Sequence, residues 1–125
     1  MVHPNEELLR TAYGLRDRAE VGPVGQWIHD DVVWHAEGGD LQGPEQVLAM
    51  LAESDNVAGG TIAREIHALL ADDEYGMVLT TVRAARGDLK YEDRQVHVYR
   101  FQDGRVIEYW GFLGDPQAAM EFWSQ

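Results

Sequence analysis

Apolar positions recur at helical spacing early in the chain and at strand spacing late in it. Leu8, Leu9, Ala12, Tyr13, Leu15 and Ala19 form a stripe on one side of a helix that opens at Pro4-Asn5. Asn5 is expected to cap this helix, Glu6 and Glu7 to sit at its positive end, and Gly22-Pro23 to stop it. Val24 to His29 reads as a short second helix burying Trp27 and Ile28, and Asp30 to His35 as a short strand. Glu37 to Gly43 is a glycine-rich loop. Pro44 fits the first turn of a third helix, whose stripe is Val47, Leu48, Met50 and Leu51. The pattern then changes. Strands are expected over Thr61–Leu70 and Tyr75–Ala85, separated by Ala71-Asp-Asp-Glu74 and followed by Arg86-Gly-Asp88. Two more flank Asp103-Gly104, and Asp115-Pro116 starts a last helix carrying Ala119, Met120, Phe122 and Trp123. Helices first and a strand meander afterwards predict an α+β fold, with a curved antiparallel sheet wrapped around helices and a concave face free to line a cavity.

Asp103-Gly104 adds detail, because a type I′ turn wants positive φ at both central residues and fixes strand register. Strict alternation from that turn sets Phe101 opposite Val106, Tyr99 opposite Glu108, His97 opposite Trp110 and Gln95 opposite Phe112. One face then holds Gln95, His97, Tyr99, Phe101, Glu108, Trp110 and Phe112, aromatic with polar handles, as expected of a pocket wall. The other holds Val96, Val98, Arg100, Ile107, Tyr109 and Leu113, a packing face expected to mediate a homodimer with Tyr109 and Arg100 taking part.

Composition removes several functions. The 125 residues suit one domain, 1–125, and 45% hydrophobic content suffices for a core. A net charge of −12 opposes phosphate backbones and anionic membranes, so no nucleic-acid or membrane partner is expected. No apolar run reaches about 18 residues, and Met1-Val-His-Pro-Asn-Glu-Glu7 has neither basic nor apolar signal character. With no cysteine, disulfides and thiolate chemistry are absent and a cytoplasmic setting is expected. His29, His35, His67 and His97 lack metal-ligand spacing, and Gly38-Gly39 and Gly59-Gly60 lack the Lys-Ser/Thr of a phosphate loop. Neither metal nor cofactor is expected.

The candidate chemistry therefore rests on side chains. His97 is the first acid/base candidate. Trp34, Tyr99, Trp110 and Phe112 offer aromatic surface for a planar ligand, with simple core packing as the competing role. Arg83, Arg94 and Asp93 do not complete an Asp-Arg-Asp water-holding relay, since Arg94 falls on the opposite face from His97.

Asp31-Val-Val-Trp-His35, Leu41-Gln-Gly43 before a helix, and Val96 to Trp110 together resemble the SnoaL-like branch of the nuclear-transport-factor-like superfamily, which includes polyketide cyclases, ketosteroid isomerases and limonene-epoxide hydrolases. The resemblance spans nearly the whole chain. It implies a cone-shaped, cystatin-like α+β barrel with an internal pocket, often homodimeric. It implies that Gln95-Val-His97 matches a Gln-x-His pair lying in the pocket of the cyclases. Their acid/base aspartate, toward the end of the last strand, corresponds either to Gly111 or to Asp115, and Asp115 is also an ideal cap for the helix after it. Ketosteroid isomerases use a first-helix tyrosine as oxyanion donor, which Tyr13 matches, with Glu37 or Asp40 available as base. The expected ligand is a small apolar cyclic molecule, bound and isomerised, cyclised or hydrolysed by His97, Asp115 and Tyr13, and held by Trp34, Gln95, Tyr99, Trp110 and Phe112. The alternative is a non-catalytic ligand-binding or dimerisation module.

Overall fold

The structure, a computed structural model, describes residues 2–18, 20, 22–36, 39–59 and 61–124. Helix α1 (Pro4–Asp17) is capped by His3 rather than Asn5. The His3 Nδ1 accepts from the Asn5 peptide N–H at 3.0 Å. Asn5 is buried and donates its side-chain amide to the Asp72 carbonyl at 3.0 Å, tying α1 to a strand turn. Ala19, expected on the apolar stripe, lies outside the described residues.

A 3-10 turn (Gly22–Trp27) replaces the expected second helix, and Ile28 already belongs to strand β1 (Ile28–Ala36). The glycine-rich loop contributes a short strand, β2 (Gly39–Gln42), paired antiparallel with β1. Helix α2 (Pro44–Val57) follows, then β3 (Ala63–Ala71), β4 (Tyr75–Arg86), β5 (Leu89–Gln102), β6 (Arg105–Leu113) and helix α3 (Pro116–Trp123). The six strands form one sheet in the order β2-β1-β6-β5-β4-β3. Neighbours are antiparallel except β1 and β6, which run parallel.

Register breaks occur in β1–β6, β3–β4 and β5–β6. Such bulges bend a strand and increase its twist, which curls the sheet around the helices. Two buried clusters occupy the concave side. The first joins Leu9, Tyr13, Val24, Ile28, Val32, Val47, Leu51 and Leu69 to Val78, Tyr99, Phe101 and Val106. The second joins Ala58, Ile62, Val82, Ala84 and Tyr91 to Ala119 and Phe122 of α3. No helix among the described residues is long and apolar enough to cross a membrane.

The expected hairpin turn is present, with φ of 54° at Asp103 and 75° at Gly104. Phe101 faces Val106 as expected, but the next pair is Arg100 with Glu108. Ile107 is an extra residue, and every position beyond it changes face. Tyr99 faces Tyr109, Val98 faces Trp110, His97 faces Gly111 and Gln95 faces Leu113. The strict alternation read from the sequence is thereby corrected. Tyr109 and Leu113 turn inward, and Trp110 and Phe112 turn outward.

Candidate functional site

On α1, Leu9, Tyr13 and Arg16 are buried at i, i+4 and i+7 and face the sheet. On β5, alternate residues Tyr91, Asp93, Gln95, His97, Tyr99 and Phe101 are all buried on the inner face. These two rows meet over a cavity of about 280 Å3 lying between the two core clusters. Its walls include Leu8, Leu51, Ile62 and Val82, with Trp34, Tyr109 and Arg64 completing an aromatic and basic side.

The buried polar groups are linked. The Tyr13 hydroxyl lies 2.5 Å from His97 Nδ1 and 2.7 Å from the Tyr99 hydroxyl. His97 Nε2 lies 2.8 Å from Gln95 Oε1, and Gln95 Nε2 donates to the Tyr91 hydroxyl at 2.8 Å. Tyr91 donates to Asp93 Oδ2 at 3.0 Å. Trp34 stacks on Tyr109 with centroids 4.0 Å apart, and Tyr109 leans against Tyr99 at 5.2 Å.

Burial governs the charge states. Desolvation, helped by the positive charge of Arg64, pushes the His97 imidazole down to about 4, so it is neutral near pH 7. Desolvation likewise raises Tyr13 well above its ordinary value and pushes Tyr99 up to about 12. Tyr13 and Tyr99 therefore act as hydroxyls rather than phenolates. Arg16 is neutralised by a two-pronged pair with Asp55, at 2.6 and 2.9 Å, that joins α1 to α2. Among the described residues, Arg16 Nε and Arg64 Nη1 are both buried without a hydrogen-bond partner, the latter 3.7 Å from Asp17 Oδ1, and both arginines line the cavity.

Of the residues expected at the site, Tyr13, Trp34, Gln95, His97 and Tyr99 come together around the cavity. Three do not. Trp110 stacks on His35 on the outer face with centroids 5.4 Å apart, and Phe112 is 56% exposed there. Both were displaced by the Ile107 bulge. Asp115 is exposed and caps α3, accepting from the Ala118 N–H at 3.0 Å. Gly111 instead faces His97 across the strand pair, and a Cβ there would lie 2.6 Å from the Tyr109 hydroxyl. Asp40 points away from the cavity and pairs with His35 Nδ1 at 2.9 Å, while Glu37 lies outside the described residues.

Tyr109, Tyr91 and Arg64 line the cavity without having been expected there. The sequence did carry a signal for Tyr109. Strict alternation buried Glu108 among aromatics, and an unpaired carboxylate in such a place is costly. The bulge puts Glu108 outside, where it accepts from Arg100 at 3.1 Å and bonds His35 Nε2 at 2.8 Å. Among the described residues no group of three or more His, Asp or Glu side chains is placed to hold a metal ion.

A family model described as the SnoaL-like domain matches residues 9–109. An uncharacterized protein of Mycobacterium tuberculosis is 25% identical over 125 residues, spanning 94% of this chain and 95% of its own length. The structure of Bal32a, from a soil-derived mobile gene cassette, superposes with a TM-score of 0.88 at 25% identity, covering 96% of each chain. A Xanthomonas campestris protein of unknown function with a cystatin-like fold superposes at 0.85 with 22% identity, covering 98% of each.

Proposed function

The chain belongs to the SnoaL-like domain family, and from that premise we propose that its cavity takes up a small apolar cyclic molecule and that the Tyr13–His97 pair moves a proton at that ligand. The observation that carries this reading is a neutral, buried imidazole whose Nδ1 lies in hydrogen-bond contact with the hydroxyl of cavity-lining Tyr13. A ligand proton can pass to the Tyr13 oxygen while Tyr13 gives its own proton to His97 Nδ1. Return of that proton at a second ligand atom is an isomerisation or an aldol-type ring closure. Hydrolysis is favoured less, because it needs a carboxylate to position water and Asp115 sits at the α3 cap. The volume of about 280 Å3 falls near the lower edge of ligand pockets, about 300 Å3 and up, and suits a compact ring system.

A second reading, binding without turnover, draws support from Gly111, which offers no carboxylate opposite His97. Thermal-shift screening with steroids, anthraquinones and terpenoids tests the shared part of both readings. A rise in Tm with at least one class is expected, and no rise with any class would sink the pocket reading. Between the two, His97→Gln should retain binding and lose turnover if the pair is catalytic.

The protein is further proposed to act as a homodimer through the outer sheet face. There Leu70, Met77, Val98 and Trp110 are cross-strand neighbours in one row over four strands, beside Leu79, Val96 and Phe112 in the next. Leu70 and Met77 are exposed, and the helices pack on the other side. Apolar patches of this kind mark association surfaces. Light scattering at micromolar concentration is expected to give twice the chain mass, and a strict monomer would overturn the dimer.

A further inference from the structure

Tyr99, Tyr13, His97, Gln95, Tyr91 and Asp93 form one unbroken hydrogen-bonded chain, and its direction can be read from one end. Asp93 does not line the cavity. Its Oδ2 accepts from Tyr91 at 3.0 Å, from the Gly114 peptide N–H at 3.2 Å and from Gln95 Nε2 at 3.5 Å. The approach of Gly114 is tight: a Cβ there would lie 2.5 Å from the Arg94 carbonyl oxygen and 2.7 Å from Asp93 Oδ1.

A carboxylate only accepts, so the Tyr91 proton is committed to Asp93 and the Tyr91 oxygen accepts from Gln95. Gln95 must then turn its carbonyl to His97. The opposite amide orientation would face an amide oxygen toward the carboxylate oxygen at 3.5 Å with no proton between them. His97 therefore carries its ring proton on Nε2, and its bare Nδ1 receives the Tyr13 proton. The Tyr13 proton being used, its oxygen accepts from Tyr99. Every proton in the chain points toward Asp93, and Tyr99, at the cavity end, has no proton left to give.

We infer that the cavity selects ligands that donate a proton: an apolar ring bearing a phenol- or enol-type hydroxyl, whose O–H is given to the Tyr99–Tyr13 oxygens. Asp93 sets this preference from outside the cavity as a positioning residue. The inference rests on the cavity being a ligand pocket. It is specific about polarity at the Tyr99–Tyr13 oxygens, where a ketone or ether of the same shape finds only lone pairs. Acceptors on the ligand are served from elsewhere on the wall, by Arg64, Arg16 and the Tyr109 hydroxyl.

Two measurements on the full chain test it. The first needs no ligand. Nitrogen-15 NMR of histidine-labelled protein, with the His97 signals assigned by their loss in His97→Gln, should show protonated Nε2 and unprotonated Nδ1. The opposite tautomer overturns the inference. The second compares 2-naphthol, 2-methoxynaphthalene and 2-acetylnaphthalene by calorimetry. The naphthol should bind about tenfold more tightly than either, the size of one hydrogen bond gained against an acceptor left unmatched. Asp93→Asn, which can offer its amide N–H to Tyr91 and let the chain reverse, should narrow that ratio several-fold. Equal binding of all three in the unmodified protein overturns the donor preference and leaves the pocket reading standing. Binding of none removes the pocket reading and the preference with it. Should Asp93→Asn fail to fold, the wild-type tautomer and wild-type ratio still decide.

Discussion

On the inner face of the β5–β6 hairpin, Gln95, His97 and Tyr99 are tied through Tyr13 and Tyr91 into one hydrogen-bonded chain beside an apolar cavity. One residue away on the outer face, Val96, Val98, Trp110 and Phe112 form a nearly uniform apolar surface with no helix over it. The strands are the same, and their apolar content is similar. What separates the faces is where polarity is placed. Inside, the polar atoms of the chain from Tyr99 to Asp93 cost little only because each has a partner there, and this makes the inner face sensitive to single-atom changes. Outside, water supplies partners freely, and the apolar surface is available to a second copy. The Ile107 bulge decides which aromatic residues serve which role.

The sharpest way to expose this contrast is a matched pair of substitutions. Phe101 is 4% exposed in the larger core cluster and Phe112 is 56% exposed on the outer face. Phe101→Ala should destabilise the folded chain by about 3–5 kcal/mol, because it removes a buried ring and leaves a void. Chemical denaturation of the dilute protein reads this directly. A loss below about 1 kcal/mol would mean that the inner face is not close-packed.

Acid should weaken the inner face through His97. The His97 value falls from 6.5 to about 4 on folding, so between those values the unfolded chain holds more protons than the folded one. The stabilising contribution is complete above about pH 6.5 and is lost as pH falls toward 4, reaching an upper limit of about 3 kcal/mol. His35, on the outer face, shifts the other way. Hydrogen bonds first to Glu108 and then to Asp40 raise it, so its contribution is present at low pH and fades as pH rises. Comparing wild type with His97→Gln isolates the inner term. The wild type should lose more stability from pH 6.5 to 4, and parallel curves would show that His97 is not held neutral by burial.

Tyr13→Phe comes next in size. It deletes one oxygen and leaves both the His97 Nδ1 lone pair and the Tyr99 proton without their partner. The expected cost is about 1–3 kcal/mol. The His97 ring proton should stay on Nε2 in nitrogen-15 spectra, because the Asp93–Tyr91–Gln95 end of the chain still holds it there. Unchanged stability would mean that the hydroxyl is not part of the chain.

Much of this arrangement was readable in the sequence. The helix stripe gave Tyr13, the Asp103-Gly104 turn gave the hairpin, and alternation along one strand gave Gln95, His97 and Tyr99 as a single row. Those signals are local, resting on helical and strand periodicity and on turn chemistry. The errors came where the answer depends on pairing between strands. A bulge adds a residue without a mark of its own in Val106-Ile-Glu-Tyr-Trp110, since Ile107 suits either face. The parallel β1–β6 contact and the short β2 strand likewise depend on partners distant in sequence. Alternation along β5 also puts Asp93 on the inner face with His97, where the structure buries it. Arg64 carries no such mark, because a charged residue in a strand reads as solvent-facing until the partners around it are known.

The outer face gives the smallest effect on the chain itself and the clearest one on assembly. Phe112→Glu should change the stability of the dilute monomer by no more than about 0.5 kcal/mol, since the ring is already in water. It should nonetheless abolish association, because a carboxylate on each copy would be pressed against an apolar surface. Salt discriminates further. Each chain carries −12, so two copies repel, and raising ionic strength shortens the screening distance from about 10 Å at 0.1 M to about 3 Å at 1 M. A dimer held by the apolar rows must therefore tighten as salt rises, whereas one held by ion pairs would loosen. Sedimentation of wild type and Phe112→Glu across that range separates the cases. Dissociation of the wild type at high salt would assign assembly to charged residues and leave the outer rows without a partner.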